Sequence, residues 1–473
     1  MRHTGRPDPT ILGTKGLSAI GLDLTLDASL EQLIPDPSFT PDFQQWQRMP
    51  PDEAREANQS TRSPLRNGNL SPGCQTFLER QKELSNSNED GFRTVRRIPP
   101  PKGKQHARLG NAYEFFRCLE MFTSFWDDSS QMPDMPPSPE MDPAEASELG
   151  EARPSGSPET VDETRFYRTS AGHSMPADYR QNLCSAMIKL VSYDFGCNVS
   201  MARTEPRLQI SSPEGSARPR KTYIGSNASF VFQSPTTREA ARAGNIYGPV
   251  CTVSTRPTIS FTLPDVETSQ SLDLAREIVA ALITAQHRAR EGKTETRFGE
   301  GQWWTQKARW GGGSGGPIGR EVDRDVVQGD KDARPSDAEG MPVAKKPRKN
   351  MAMYDNYRMV RPPSATWDKK ARYEAIGKPK GADYDDIFVV SCLFHHISVL
   401  RLRVPLRLLE VLEGSPEPVA SERSWGKVRA WRSPWYDLFK IDERVECLKT
   451  LWPVMAYQMR KDTPEKDVAM ADA

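Results

Sequence analysis

Residues 383–402 read DYDDIFVVSCLFHHISVLRL, and the conformation given to them decides the architecture of the C-terminal half. The stretch is apolar on nearly every side. As a helix it belongs in the middle of a bundle, while its β-branched content leaves a buried strand as the other reading. The residues downstream of it favour helices. Pro405 suits the start of a short helix, PLRLLEVLEG, that Gly414 would end. Ser433-Pro434 then caps a longer one. In it Leu438, Ile441, Val445, Leu448, Trp452, Met455 and Met459 recur at alternating spacings of three and four, the pattern of a helix–helix seam. Pro453 removes one backbone donor there. Residues 351–461 are therefore expected as a mainly helical block, with 462–473 as a tail.

Upstream, 165–291 predicts an α+β block. Tyr179, Leu183, Ala186, Met187, Leu190 and Val191 form a helical face behind Pro176, and Gly196 is placed to stop it. Strand-like pieces come next at 197–202, 207–211, 229–233, 249–254 and 258–263, separated by turn residues. A second helix, SLDLAREIVAALITAQHRAR (271–290), closes the block. The order helix, antiparallel strands, helix resembles in outline that of double-stranded-RNA-binding domains. Tyr247, Gly248 and Pro249 stand where such domains turn before a late strand, and LAREIVAALITA is similar to their Ala-rich last helix. The resemblance implies a phosphate grip at the start of that helix, but TSQSLD (268–273) replaces the lysine pair that would supply it. Without cations there, the main reason to hold a phosphate backbone is gone.

Long polar segments separate these blocks. The chain has 473 residues with 40 prolines and 36% hydrophobic content, and its apolar periodicity is confined to a few stretches. Residues 1–108 read as mostly disordered, with a basic run at 91–108 that holds six Lys/Arg and no acid. Within them LDLTLDASLEQLI (22–34) suits a short amphipathic helix, and 41–49 another turn or two. Residues 109–126 form an aromatic amphipathic helix. Its stripe of Ala112, Phe115, Phe116, Leu119, Phe122 and Trp126 is expected to pack on a later part of the same chain. Residues 127–163 are an acidic, proline-rich linker. Residues 292–350 are a linker rich in Trp and Gly that ends in the basic run AKKPRKN. The fold class is thus α+β: a helix–antiparallel strands–helix block plus a mainly helical C-terminal block, on long disordered linkers.

Charge and cysteines bound the setting. Sixty-four Lys/Arg against 63 Asp/Glu leave a net charge of +1, so no global field draws the protein to nucleic acid or membrane. Seven scattered cysteines suit a reducing compartment better than a disulfide framework. The N-terminus carries no signal-like apolar run, and 387–400 is too short to span a bilayer. An intracellular protein is expected, neither secreted nor transmembrane.

The chemistry on offer is sparse. GGGSGG (311–316) lacks the Gly-Lys-Ser/Thr ending of a phosphate loop. Cys392, His395 and His396 would bring three metal-capable atoms to one helix face, but no fourth ligand is adjacent and the surroundings are aliphatic, so they read as core. No Gly-x-Ser-x-Gly elbow or HExxH motif appears. No cofactor, no metal and no catalytic residue are expected. Trp303, Trp304 and Trp310 read as docking anchors, on the protein's own surface or on a partner, ahead of a flexible tether. Lys345, Lys346, Arg348 and Lys349 form a candidate nuclear import signal. Ser/Thr-Pro pairs at 40, 63, 71, 138, 157 and 463 are candidate phosphorylation sites. Together these features predict a non-catalytic regulatory or adaptor protein, nuclear or else cytoplasmic, that acts through protein–protein contacts. The alternatives are an RNA or single-stranded nucleic-acid binder and an enzyme with an unmarked interdomain site.

Overall fold

The computed structural model describes residues 16–126, 175–200, 207–234, 245–257, 265–289, 291, 372–418 and 422–461. In chain order, β1 (Leu22–Thr25) leads into the short helices α1 (Leu30–Leu33), α2 (Phe43–Arg48) and α3 (Pro51–Ala57). Helices α4 (Cys74–Leu84), α5 (Asn88–Val95), α6 (Tyr113–Phe122) and α7 (Ala177–Ser192) come next. Strands β2 (Cys197–Ser200), β3 (Arg207–Ser211), β4 (Lys221–Gly225), β5 (Ser229–Gln233) and β6 (Asn245–Thr255) precede the long helix α8 (Asp265–Ala289). The C-terminal part contains β7 (Arg372–Glu374), β8 (Tyr384–Leu393), β9 (His396–Pro405), α9 (Leu406–Leu412), β10 (Val428–Arg432), β11 (Tyr436–Asp437) and α10 (Ile441–Gln458).

The mixture of helices and strands is an α+β composition, but its centre differs from the expected helical bundle. Residues 384–405 are a β-hairpin with ten paired positions from Tyr384↔Pro405 to Leu393↔His396. The run lacks alternation because both faces of this strand pair are covered. Ile387 and Val389 enter one core, while Phe388, Val390 and Cys392 enter the other. β8 also pairs in parallel with β6, Thr252↔Val389 through Thr255↔Cys392. The two expected blocks therefore share one sheet, in the order β1-β10-β9-β8-β6-β5-β2.

Helices cover both faces. α7, α6, α4 and α10 pack on one side through Leu183, Met187, Phe115, Phe116, Phe77 and Trp452. α8, α9 and the separate β3–β4 hairpin cover the other through Ile278, Ile283, Leu408 and Leu208. The stretch 165–291 is thus not a self-contained sandwich, since its two helices lie on opposite faces of a sheet that continues into β8. Tyr247, Gly248 and Pro249, expected as a turn, lie inside β6. They sit where the register with β5 shifts between Val231 and Gln233. Gly248 takes φ +122°, and a Cβ there would come within 2.9 Å of the Val250 nitrogen, which favours glycine at this bulge.

Residues 16–108, expected as mostly loop, supply Leu33, Ile34, Phe43, Trp46, Leu65, Phe77 and Leu84 to the core. Their apolar residues are too widely spaced to show a period, and each short helix inserts only one or a few of them. Leu22–Thr25, expected as helix, is a strand paired in parallel with β10. The buried Arg444 of α10 locks this region in place. It donates to Asn88 Oδ1 at 2.6 Å, while Asn88 Nδ2 donates to the Phe439 carbonyl at 2.8 Å.

Candidate functional site at the carboxyl edge of the sheet

Strands β6, β8, β10 and β1 run in one direction. β6 is parallel to β8, β10 is parallel to β1, and β9 lies antiparallel between β8 and β10. Their carboxyl ends meet along one edge, the place where open sheets with parallel strands gather ligands. Arg256 comes directly after β6, the Phe394-His395 turn after β8, and Arg432 ends β10.

Helices from both faces add charge to this edge. Glu277 of α8 is fully buried and accepts from Arg256 Nε at 2.8 Å and from Arg256 Nη2 at 3.1 Å. It also accepts from Arg432 Nη2. Burial alone would raise the Glu277 carboxyl, but Arg432 and Arg256 together hold it below the ordinary glutamate range. Trp435 covers both cations, with its ring centre 4.9 Å from the Arg256 guanidinium and 5.4 Å from that of Arg432. Arg180, in the first turn of α7, donates to the Arg256 carbonyl at 3.4 Å and lies over Phe394 at 5.3 Å. Burial draws Arg180 below the usual arginine value.

Beside the arginines lies a histidine corner. The rings of His395 and His396 are 4.2 Å apart. Both face Asp437 of β11, His395 Nε2 at 3.7 Å from Oδ1 and His396 Nε2 at 3.9 Å from Oδ2. Phe122, Trp126 and Phe439 ring the buried His395. Successive strand residues point to opposite sides, and Tyr436 next to Asp437 lines a groove of about 500 Å³ with Ser29, Asp42, Phe43, Lys449 and Thr450.

Several expectations about site residues change here. Cys392, His395 and His396 do not share a helix face. Cys392, one residue before the end of β8, is joined to Cys184 of α7 in a disulfide with a Cα–Cα distance of 6.3 Å, where the scattered spacing suggests free thiols. Packing of α7 against β8, which spacing along the chain cannot reveal, brings the pair together. His395 is buried as core, but the His396 side chain is 37% exposed. Asp437 carries no signal of this role in the sequence, since it stands 41 residues beyond His396 and reaches the histidines only through β11–β9 pairing, Asp437↔His396. The free cysteines among the described residues, Cys74, Cys118, Cys197, Cys251 and Cys447, are all buried. Burial pushes the Cys118 thiol up to about 11 and the Cys251 thiol up to about 12, far from the range of a nucleophilic thiolate.

Of the seam residues, Leu438, Val445, Leu448, Trp452, Met455 and Met459 are buried, and Ile441 is half-buried. Helix α10, however, starts at Ile441 and not behind Ser433-Pro434, because β11 occupies Tyr436–Asp437, so Leu438 lies ahead of the helix and Met459 at its C-cap. Trp452 meets Phe77 and Phe195 edge-on at 5.3 and 5.4 Å. Trp303, Trp304 and Trp310, and Lys345, Lys346, Arg348 and Lys349, lie outside the described residues. So do the Ser/Thr-Pro pairs at 138, 157 and 463. Ser71 is buried, with its hydroxyl accepting from the Ser63 amide at 2.8 Å, which makes it a poor phosphate acceptor. Among the described residues no helix is long and apolar enough to cross a membrane. Comparison with protein-family models, with curated proteins and with solved structures gave no match.

Proposed function

We propose that this protein is a non-catalytic adaptor whose folded body displays two long polar segments to protein partners from fixed roots. One contact carries the reading. The Ala375 amide donates to Glu291 Oε1 at 3.0 Å, so the described residues on either side of segment 292–371 are in contact. Arg66 holds the same glutamate at 3.5 Å. Segment 127–174 is rooted in a similar way, by Phe125 against Tyr179 at 5.9 Å and Trp126 against Phe394 at 4.6 Å. Lengthening a closed loop costs little, roughly 0.6 kcal/mol per doubling, so such a body tolerates insertions that carry recognition sequences.

The two roots sit at opposite ends of β6. At the amino end Asn245 pairs with Arg372, and at the carboxyl end Arg256 meets Arg180. Eleven residues of strand at about 3.3 Å each set these edges about 35 Å apart. The described residues that flank the acidic sequence and those that flank the sequence carrying Trp303, Trp304, Trp310 and the lysine cluster thus lie at different edges of the sheet.

Replacing 296–367 with a short Gly/Ser bridge should leave the thermal midpoint within about 2 °C, because the two cores are built from residues outside that segment and changes away from such features cost little. The same deletion, or alanine at Trp303, Trp304 and Trp310 together, should abolish co-purification of the partner, and nuclease treatment should not. Unfolding on excision, or association that survives it, would overturn the reading. Association lost to nuclease would transfer it to the RNA or single-stranded nucleic-acid alternative.

The adaptor is further proposed to enter the nucleus through Lys345, Lys346, Arg348 and Lys349. Alanine at all four should move a fluorescent fusion to the cytoplasm, and a mutant still concentrated in nuclei would remove the cluster from the account.

A further inference from the structure

We propose that His395, His396 and Asp437 bind a divalent transition-metal ion and leave a coordination position open toward solvent. The site lies outside both displayed segments and stands independently of the adaptor reading.

The backbone is the first observation. β8 and β9 are joined by only Phe394 and His395, and Phe394 adopts φ +52°. A bulky side chain is uncommon in that left-handed region, where hairpins normally place glycine. Phe394 is held there by Trp126 at 4.6 Å and by the Arg180 guanidinium at 5.3 Å. Such departures persist where the surroundings over-determine them, and they cluster at functional sites. Here the consequence is that two consecutive imidazoles face the same carboxylate.

The supporting shell is the second. The Phe439 amide donates to Asp437 Oδ1 at 2.9 Å, and the Asp437 amide donates to Glu443 Oε2 at 2.6 Å. The Leu438 amide donates to the His395 carbonyl at 3.0 Å. One short loop thus fixes both the carboxylate and the histidine backbone, as outer contacts do in metal sites.

Donor chemistry and spacing are the third. One ligand atom from each residue lies within 4.8 Å of the other two. Bonds of about 2.0–2.1 Å put neighbouring ligand atoms about 3–3.5 Å apart, so closure needs side-chain adjustments of about 1 Å. Two neutral imidazoles and one carboxylate suit Zn²⁺, Co²⁺, Fe²⁺ or Ni²⁺, whereas Ca²⁺ and Mg²⁺ prefer oxygen ligands. His395 and Asp437 are buried, with side chains 8% and 7% exposed, while His396 faces outward. Three protein ligands with one accessible side match a site that keeps an exchangeable position.

The full-length chain, stripped with a chelator and dialysed, should take up one Co²⁺ at this corner with visible d–d absorption, and Zn²⁺ should displace it. Loss of outer-shell partners alone weakens metal sites about 10–100-fold, so His396→Ala and Asp437→Asn should each weaken binding at least ~100-fold. His106→Ala, at an exposed histidine elsewhere, should leave it unchanged. Zn²⁺ should raise the thermal midpoint of the unsubstituted chain but not that of His396→Ala. If His396→Ala misfolds, His396→Gln and Asp437→Asn carry the comparison. No Co²⁺ uptake at 100 µM metal (roughly the weak limit for a specific site), or uptake retained in folded variants at both positions, would overturn the proposal. A preference for Ca²⁺ or Mg²⁺ would do the same.

Discussion

Replacing Trp452 by alanine is expected to destabilise the protein by about 3–5 kcal/mol, the cost of truncating a buried aromatic to alanine. Trp452 is 1% exposed. Its ring is met edge-on by Phe77 of α4 and by Phe195, just beyond α7. It therefore joins three parts of the chain that are distant in sequence. Phe77 belongs to the N-terminal stretch, and truncating Trp452 should loosen that stretch first. In urea unfolding followed by fluorescence and circular dichroism the midpoint should fall sharply. Limited proteolysis of the variant should open sites within 30–95 before those in β8 and β9. A double-mutant cycle with Phe77→Leu should return a coupling of about 0.5–1.5 kcal/mol. A loss below about 1.5 kcal/mol for the single variant would show that the N-terminal helices do not depend on this junction.

The same residues show what could be read from the sequence. The long helices were legible because each carries a periodic stripe of its own: the aromatic stripe around Phe115, Phe116 and Phe122, the face of Leu183 and Met187, and the spacing from Val445 to Met455. Strands β3, β5 and β6 were legible from β-branched runs between turn residues. β8 and β9 were not, because burial on both faces removes alternation and leaves a run that a central helix would share. The N-terminal core was illegible for a different reason. Phe43 and Trp46 enter the core from one six-residue helix, Leu65 from a loop and Phe77 from another helix, so no sustained local pattern marks them. The carboxyl edge was illegible because its geometry is long-range. Arg256, Glu277 and Arg432 meet only when α8 crosses the sheet, and Asp437 reaches His396 only through β11. Cys392, His395 and His396 read as core from their aliphatic surroundings, and only tertiary pairing sets the two histidines beside a distant aspartate while the cysteine joins Cys184.

Glu277→Gln is the second substitution expected to have a large effect, and the arginines set its sign. The carboxylate is fully buried between Arg256 and Arg432, whose side chains are 10% and 5% exposed. A neutral amide in its place leaves two buried guanidiniums without a counter-charge, which should cost about 3–5 kcal/mol. Buried ion clusters are nevertheless often no more stable than apolar replacements of similar volume. Converting the triad to Arg256→Met, Glu277→Leu and Arg432→Met should therefore recover most of the loss, even though it removes more polar groups. The pH dependence separates charge from packing. In the folded chain the Glu277 carboxyl lies below its ordinary value of 4.5, the two arginines outweighing the effect of burial. Its contribution to stability is therefore fully present above about pH 4.5 and is lost as pH falls through the lower folded value. Asp385 shifts the other way, raised by burial despite its pairing with Arg288, and it contributes an opposite slope to both proteins. Subtracting the stability profile of Glu277→Gln from that of the unsubstituted chain removes this common part. The difference should stay constant from pH 8 to pH 5 and narrow below about pH 4.5. A difference that does not change with pH would mean that shape at this position matters and charge does not, and that the arginines at the sheet edge are neutralised by some other group.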